Sequence, residues 1–324
     1  MARAIRVHQH GGPEVLTYET VDVGSPAAGE VRIRQTAIGL NYIDVYFRTG
    51  LYPAASIPFI PGMEGAGEVL EVGAGVTDLA VGDRVAYAGT LGGYADERLM
   101  PADKLVKVPT GIDDRTAAAM MLQGMTAQYL LKRTFKVEPG TVMLFHAAAG
   151  GVGLMACKWA AHLGATVIGT VGSKEKGVLA KANGCAHVID TKTENFAERV
   201  REITDGKLCD VVYDSVGKDT FPASLDCLKP LGLWVSFGQS SGVIPPFNMA
   251  ILSQKGSLFA TRPTLMTYTA KREDLVATAA DLFDVVQKGV IKININQEYP
   301  LSAAADAHRD LEARRTTGST ILTT

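Results

Sequence analysis

The chain has 324 residues, 47% of them hydrophobic and 20% charged, with 32 basic against 34 acidic side chains. That length suits about two domains of ~150 residues each, and the near-neutral balance gives no electrostatic ground for a nucleic-acid or anionic-membrane partner. No stretch approaches the roughly 18 uninterrupted apolar residues of a spanning helix, and no apolar run follows Met1-Ala2-Arg3-Ala4-Ile5-Arg6 as a secretory leader requires, so a soluble cytoplasmic protein is expected.

Residues 1 to about 110 carry short β patterns punctuated by glycine and proline: Val31–Arg34, Gly67–Val72, Asp83–Tyr87 and Lys104–Val108. Their apolar/polar alternation predicts half-buried antiparallel strands in a compact β-rich domain. Helical signals begin at Asp113-Asp114-Arg115-Thr116-Ala117, whose acidic residues suit a first turn. From about 123 the pattern becomes strand–helix alternation, with strands expected at 142–146, 166–171, 187–190, 210–214, 232–237 and 257–261. Such alternation predicts a parallel sheet covered by helices on both faces, an α/β architecture. An amphipathic helix is expected over 272–288, stopped by Gly289, followed by a helix from Ser302 to Arg315 and a strand at Ser319–Leu322. The β-rich part lacks helices of its own, so these C-terminal elements are expected to return to it.

Within the alternating region, Thr141–His146 reads as a strand, Ala147–Gly153 as a small-residue turn, and Leu154-Met155-Ala156 as the opening of a helix. That order aims the free N–H groups and positive dipole end of a helix at whatever lies above the turn, typically a pyrophosphate. A glycine-rich turn that binds nothing has the same composition, but the strand-turn-helix context favours a dinucleotide. The next strand runs into Gly172-Ser173-Lys174-Glu175-Lys176. An acidic residue there would accept hydrogen bonds from the ribose hydroxyls. The first two positions instead lack a carboxylate, and a hydroxyl with two ammonium groups suits a 2′-phosphate. A solvated Lys/Glu helix start is the competing reading. NADPH is the cofactor expected.

Pro61-Gly62-Met63-Glu64-Gly65-Ala66-Gly67, followed by Gly73, Val76 and Gly82-Asp83-Arg84-Val85, resembles the signature of medium-chain dehydrogenases/reductases. In the zinc enzymes of that superfamily a histidine and a cysteine stand where this chain has Met63 and Asn41, and the four-cysteine zinc lobe is missing. Cys157, Cys185, Cys209 and Cys227 are too scattered for ligands and read as buried thiols, while His8 and His10 read as surface strand residues. No metal is expected. His10–Leu16, Gly39–Pro53, Ala147–Gly153, Val212–Gly217, Phe237–Gly242 and Thr261-Arg262-Pro263 resemble the NADPH-dependent quinone oxidoreductases, the ζ-crystallin-like, zinc-free branch.

The resemblance spans essentially the whole chain. It implies a doubly wound Rossmann sheet for NADPH over 123–264, and a discontinuous GroES-like catalytic domain joining 1–122 to 265–324, with cofactor and substrate between them. It implies nicotinamide-side contacts by Asn41, Asp44, Tyr46 and Thr126 and pyrophosphate contacts at Gly150, Gly151 and Val152. Around the 2′-phosphate it implies Gly172, Ser173 and Lys176, with further cofactor contacts at Ser215, Phe237, Gly238, Ser240, Thr261, Arg262, Pro263 and Arg314. Two departures from relatives stand out: Thr191 cannot stack as their tyrosine does, with Asp190 adding negative charge beside it, and Gln123 replaces a lysine.

Without a Lewis acid, charge growing on an acceptor oxygen needs hydrogen bonds or a proton donor. Tyr46 and Tyr52 are the phenols flanking the helix-like Asn41–Thr49 segment; a phenol, ordinarily near pKa ~10, can give up a proton as that oxygen becomes basic. Tyr46 and Tyr52, with the Asn41 and Asp44 that the resemblance implies at the nicotinamide side, are the catalytic candidates, with Tyr52 assisting protonation and Tyr46 positioning. Packing is the alternative for both phenols, and Arg48 reads either as cleft-facing or as a solvated helix residue. The expected acceptor is a quinone or a similar electron-poor carbonyl. A 2-alkenal or enoyl reductase acting on an enone is the enzymatic alternative, and a non-catalytic NADPH-binding structural or RNA-binding protein the other. The apolar strand near Ser257–Ala260, at the edge of the Rossmann sheet, is expected to pair two copies into a homodimer.

Overall fold

The computed structural model describes all 324 residues, Met1–Thr324, and contact density divides the chain into two compact units. The first comprises Met1–Met125, Thr269–Gln287 and Ile293–Thr324, the second Thr126–Tyr268 and Lys288–Lys292. No helix is long and apolar enough to cross a membrane.

The first unit opens with β1 (Ala2–Val7), β2 (Leu16–Val21), β3 (Glu30–Leu40), α1 (Tyr42–Arg48), β4 (Glu64–Val72), β5 (Arg84–Ala88), β6 (Glu97–Pro101), β7 (Val106–Lys107) and α2 (Asp114–Ala118). The alternation that marked Val31–Arg34 belongs to β3, which pairs antiparallel with both β4 and β6. Its inward residues Val31 and Ile33 pack with Val69, Val85, Tyr87 and Met100 into one core. The strand expected over Lys104–Val108 is only two residues long, because Ala102–Lys104 close into a 3₁₀ turn first. His8 and His10 lie beyond the end of β1 in an exposed loop rather than in a strand.

The chain passes into the second unit within α3 (Met121–Tyr129) and continues through β8 (Val142–Phe145), α4 (Gly151–His162), β9 (Thr166–Val171), α5 (Lys174–Ala182) and β10 (His187–Asp190). It proceeds with α6 (Phe196–Ile203), β11 (Cys209–Asp214), β12 (Leu228–Ser236), α7 (Ala250–Gln254), β13 (Phe259–Thr261) and α8 (Leu265–Tyr268). The six strands lie parallel in the order β10-β9-β8-β11-β12-β13. That is the Rossmann order, and its direction reverses between β8 and β11, where the ends of the strands open a crevice for a ligand. The central strands β8 (Val-Met-Leu-Phe) and β9 (Thr-Val-Ile-Gly-Thr-Val) are short and largely buried, as a sheet covered on both faces requires; Leu144, Ile168, Ile189, Val212 and Trp234 form its core.

The chain then supplies the first unit with α9 (Arg272–Gln287), β14 (Ile295–Pro300), α10 (Ala304–Glu312) and β15 (Ser319–Thr323). β15 pairs antiparallel with the end of β3, Thr320 opposite Leu40, and Leu322, Leu301, Ala304 and Ala307 join Ile5, Val7 and Ile38 in a second core. The final helix is shorter than the pattern over Ser302–Arg315 predicts. It stops at Glu312, two residues before Arg314, which adopts a left-handed φ of 59°.

Candidate active site

In the second unit, β8 delivers its chain into the turn at the switch point. Ala147 takes a left-handed φ of 56°, at a cost of about 1–2 kcal/mol for a residue with a Cβ. The turn is closed by the Ala148 N–H on the Thr170 carbonyl (2.9 Å) and by the Gly150 N–H on the Ala147 carbonyl (2.9 Å). Gly150 is the N-cap of α4 and offers no side-chain cap; the first N–H to bond back into the helix is that of Leu154. The N–H groups of Gly151, Val152 and Gly153 thus have no intrahelical partner, as an anion cradle requires. A Cβ on Gly153 would stand 2.5 Å from the Ala147 carbonyl oxygen, so close packing of helix against turn demands glycine there.

Beyond β9, a Cβ added at the half-buried Gly172 would meet nothing within 4 Å. Ser173 caps α5, its Oγ accepting the Lys176 N–H at 3.3 Å. The Glu175 carboxyl is held below the usual carboxylate range by its own backbone N–H and the Ser173 hydroxyl, then by the charges of Lys174 and Lys192. Lys192 therefore joins Lys174 in placing positive potential at this corner. The sequence reading passed over it; the available signal was a basic residue two positions beyond the strand next to β9. Thr191 is committed to Val171, whose carbonyl accepts its N–H (2.9 Å) and its hydroxyl (3.1 Å).

Loops after β11 and β12 gather the next group. The Asp214 carbonyl accepts the Phe237 N–H (2.8 Å) and the Ser215 carbonyl accepts the Ser240 N–H (3.1 Å). A Cβ on Gly238 would come within 2.7 Å of the Ser215 carbonyl oxygen, so Ser215, Phe237, Gly238 and Ser240 assemble only with glycine at that point. Thr261 ends β13 and is half-buried, Pro263 is buried, and Arg262 donates to the Ser236 carbonyl at 2.8 Å. Thr126, half-buried on α3, hydrogen-bonds the Tyr129 phenol, which also senses the charge of Arg262. Burial, and then Tyr268, pushes the Tyr129 phenol well up; its ring stacks on Tyr268 at 4.5 Å. Tyr129 links two expected cofactor residues and gave no motif by which to find it.

In the first unit, Asn41 and Asp44 form the capping box of α1, each side chain serving the other's backbone N–H. Asn41 also donates to Glu64 (2.6 Å) and accepts from Gln123 (3.0 Å), which in turn accepts from Ser319 (2.8 Å). Asp44 accepts from the Asn41 N–H and from the Tyr94 hydroxyl, both at 2.9 Å, and is 0% exposed. With no accessible surface, the Asp44 side chain holds Asn41 and the start of α1. Burial pushes Asp44 up to about 7, and Glu64 to about 8.

Tyr46 packs one turn beyond Tyr42 and against Tyr52, with ring centroids 5.4 and 5.1 Å apart. The Tyr52 N–H on the Tyr46 carbonyl (3.0 Å) ties the loop to the helix. Tyr46 is buried and Tyr52 half-buried. Arg314 is exposed, and its charge reaches Tyr42. Neither expectation for Arg48 holds. Its guanidinium is fully buried and bonded to the Gly11 carbonyl (3.1 Å), to His308 (2.9 Å) and to both Glu312 oxygens (2.9 and 2.8 Å). The partner lies 264 residues away in sequence, beyond the reach of any local pattern.

The residues present do not fit a zinc ion. Met63 offers a buried thioether, the Asn41 amide is engaged with Glu64 and Gln123, and no group of three or more His, Cys, Asp or Glu is gathered to hold a metal.

The zinc-binding dehydrogenase family matches residues 151–283, and the alcohol dehydrogenase GroES-like domain matches 27–110. The chain is 55% identical over 323 residues to a quinone oxidoreductase of Pseudomonas aeruginosa, covering 99% of each. It is 49% identical to a 2-haloacrylate reductase of Burkholderia sp, again over 99% of each. The crystal structure of Escherichia coli quinone oxidoreductase complexed with NADPH matches with a TM-score of 0.98, at 48% identity and full coverage of both chains. With the Rossmann order, the phosphate-ready turn and these full-length likenesses together, the chain belongs to the NADPH-dependent quinone oxidoreductases of the medium-chain dehydrogenase/reductase superfamily.

Proposed function

We propose that this protein reduces quinones and similar electron-poor carbonyl compounds with NADPH, without zinc, in the cytoplasm. The observation that carries the reading is the uncapped α4 N-terminus behind Ala147–Gly153, at the switch point of the sheet and flanked by Ser173, Lys174 and Lys176. Bound NADPH supplies the hydride. Gly150, Gly151 and Val152 hold its pyrophosphate through backbone N–H groups, while Ser173 and Lys176 recognise the 2′-phosphate. Ser215, Phe237, Gly238, Ser240, Thr261, Arg262, Pro263 and Arg314 complete the binding set, with Thr126 and Asn41 serving the nicotinamide side. Tyr52 donates a hydrogen bond to the acceptor oxygen and gives it a proton, and Tyr46 holds Tyr52 in place through ring packing. Asp44 and Glu64 act one step removed, fixing Asn41.

A second reading, reduction of an activated C=C as in a 2-alkenal or enoyl reductase, is favoured by the 49% likeness to a 2-haloacrylate reductase. The deciding experiment is an NADPH-oxidation screen across quinones, enones, haloacrylates and aldehydes, repeated with a chelator. Fastest turnover of quinones, unchanged by the chelator, is expected. Fastest turnover of enones or haloacrylates transfers the assignment to the second reading, and loss of activity to the chelator removes zinc independence. No turnover at all, with salt-sensitive RNA binding that NADPH displaces, would overturn the enzymatic reading.

The active form is a homodimer paired through β13. Phe259 on that strand is 59% exposed, and an uncovered apolar edge otherwise invites aggregation. Sedimentation showing only monomer at micromolar concentration would refute the dimer.

A further inference from the structure

Directly behind the phosphate turn lies a chain of buried polar side chains that the proposed chemistry does not use. His146, Thr170, Asp214 and Ser224 are each at most 3% exposed. Asp214 accepts from the Val216 N–H (2.9 Å), the Gly217 N–H (3.1 Å), the Thr220 hydroxyl (2.8 Å), the Ser224 hydroxyl (2.9 Å) and, at 3.4 Å, the Trp234 indole. All five partners donate, so Asp214 serves here as an acceptor. The other partner of the Ser224 hydroxyl is the Thr220 carbonyl (3.1 Å), also an acceptor. Ser224 must therefore point its proton away from His146 and accept from Nε2, 3.0 Å away. That places the imidazole proton on Nε2 and leaves Nδ1 to accept from the Thr170 hydroxyl at 3.0 Å. The Thr170 oxygen is then oriented to accept the Ala147 N–H at 3.3 Å.

The donations run one way, from the Ala147 N–H through Thr170, His146 and Ser224 to Asp214. At one end stands the left-handed residue that shapes the pyrophosphate turn; at the other, the carboxylate that folds the loop carrying Ser215. We propose that this relay positions the cofactor cradle, with Thr170 as the residue that holds Ala147 in its left-handed conformation and Ser224 and His146 fixing the direction of the Thr170 hydroxyl. These are positioning residues and touch neither cofactor nor substrate. The inference rests on the reading of the turn as an NADPH site.

The test is Thr170→Val, which keeps the shape and removes the hydroxyl, with Thr170→Ser as the conservative restoration. NADPH affinity is measured by fluorescence titration, and steady-state kinetics are run with a quinone. The expected result is a rise of about 10-fold in the NADPH Kd and KM for Thr170→Val, with kcat at saturating NADPH within about 2-fold, and values near wild type for Thr170→Ser. Ser224→Ala, at the far end, is expected to raise the Kd in the same direction by about 3-fold, and it stands as the probe if Thr170→Val does not fold. Lowered Tm in these variants with an unchanged NADPH Kd makes the chain a packing feature alone and overturns the inference, as does a fall in kcat without a change in Kd. Absence of NADPH binding by the wild type overturns the functional reading and this inference together; tight wild-type binding with an unaffected Thr170→Val overturns the inference by itself.

Discussion

Tyr94 donates its phenol proton to Asp44 across 2.9 Å, and its oxygen stands 3.0 Å from Nε2 of His308. The Arg48 guanidinium, which can only donate, meets Nδ1 of the same imidazole at 2.9 Å. The proton on His308 is thereby confined to Nε2, and donation runs from Arg48 through His308 and Tyr94 to Asp44. Burial, with the adjacent Arg48 charge, depresses His308 to about 3, so the imidazole stays neutral at every pH of interest. Tyr94→Phe strips a donor from a buried carboxylate and an acceptor from the imidazole. A loss of about 2–3 kcal/mol in unfolding free energy is expected, measured by urea titration at neutral pH.

Asp44 and Glu64 make stability depend on pH. Burial raises Asp44 from 3.8 to about 7 and Glu64 from 4.5 to about 8, with Asp44 adding to the rise at Glu64. A carboxyl whose folded pKa lies above its unfolded one binds the proton more tightly when folded. Its contribution is complete below the unfolded pKa and is lost as pH climbs through the folded one. Unfolding free energy should therefore decline between about pH 5 and 8, by up to about 1.4 kcal/mol per pH unit for each group. Asp44→Asn and Glu64→Gln should each flatten the decline relative to wild type in urea titrations at pH 5.5, 7 and 8.5. Parallel curves for wild type and both variants would show that neither carboxyl titrates in that window.

The Rossmann half was legible because its information is local. Strand–helix alternation and the Gly150-Gly151-Val152-Gly153 turn are periodic, contiguous signals, and the observed strands start within a few residues of the expected ones. Ser173 and Lys176 were likewise readable as a hydroxyl and an ammonium group placed just after a strand. The catalytic half was less legible because its chemistry depends on distant partners. Nothing near Asp44 in sequence announces Tyr94 or His308, and nothing near Arg48 announces Glu312, so a buried ion pair passed for a solvated helix residue. Arg314 illustrates a smaller loss: helical periodicity carries through it, while the backbone has already turned left-handed.

Lys176 follows the Ser173 cap at the first turn of α5. Under the proposed 2′-phosphate contact, replacing its ammonium with a carboxylate would remove a charge-assisted hydrogen bond and set like charge against that phosphate. Lys176→Glu should weaken NADPH by about 10- to 100-fold while leaving NADH within about 3-fold, narrowing the gap between them. Equal dissociation constants for the two cofactors in the wild type would sink the assignment of the Ser173–Lys176 corner.

Gly153 tests the cradle by shape alone. An added Cβ would press on the Ala147 carbonyl oxygen at 2.5 Å and on Ala148 backbone atoms at 2.7 Å, none of which can swing aside as a side-chain tip does. Gly172, also in the expected binding set, has nothing within 4 Å of its Cβ position. Gly153→Ala should displace the turn and cost about 10-fold or more in NADPH affinity, together with about 1–3 kcal/mol of stability from overpacking. Gly172→Ala should leave stability within about 0.5 kcal/mol, so comparing the two by thermal melting and NADPH titration separates crowding of the fold from crowding of the ligand.

Tyr52 is the sharpest test of the acceptor side. Its ring is held between Tyr46 at 5.1 Å and Phe47 at 5.8 Å, and its backbone N–H is bonded to Tyr46. Removing only the hydroxyl therefore leaves the ring where it is. Proton donation in the transition state contributes about 10²–10⁴-fold in general, whereas ring packing survives the change intact. Under the proposed role, in which the phenol acts on the acceptor rather than the cofactor, Tyr52→Phe should lower kcat for a quinone by about 10- to 100-fold with the NADPH Kd unchanged. Tyr46→Phe should have the smaller effect, because that side chain is buried against its neighbours and works by packing. If Tyr52→Phe keeps wild-type kcat while cofactor binding is intact, the proton comes from elsewhere and Tyr52 is a packing residue like Tyr46.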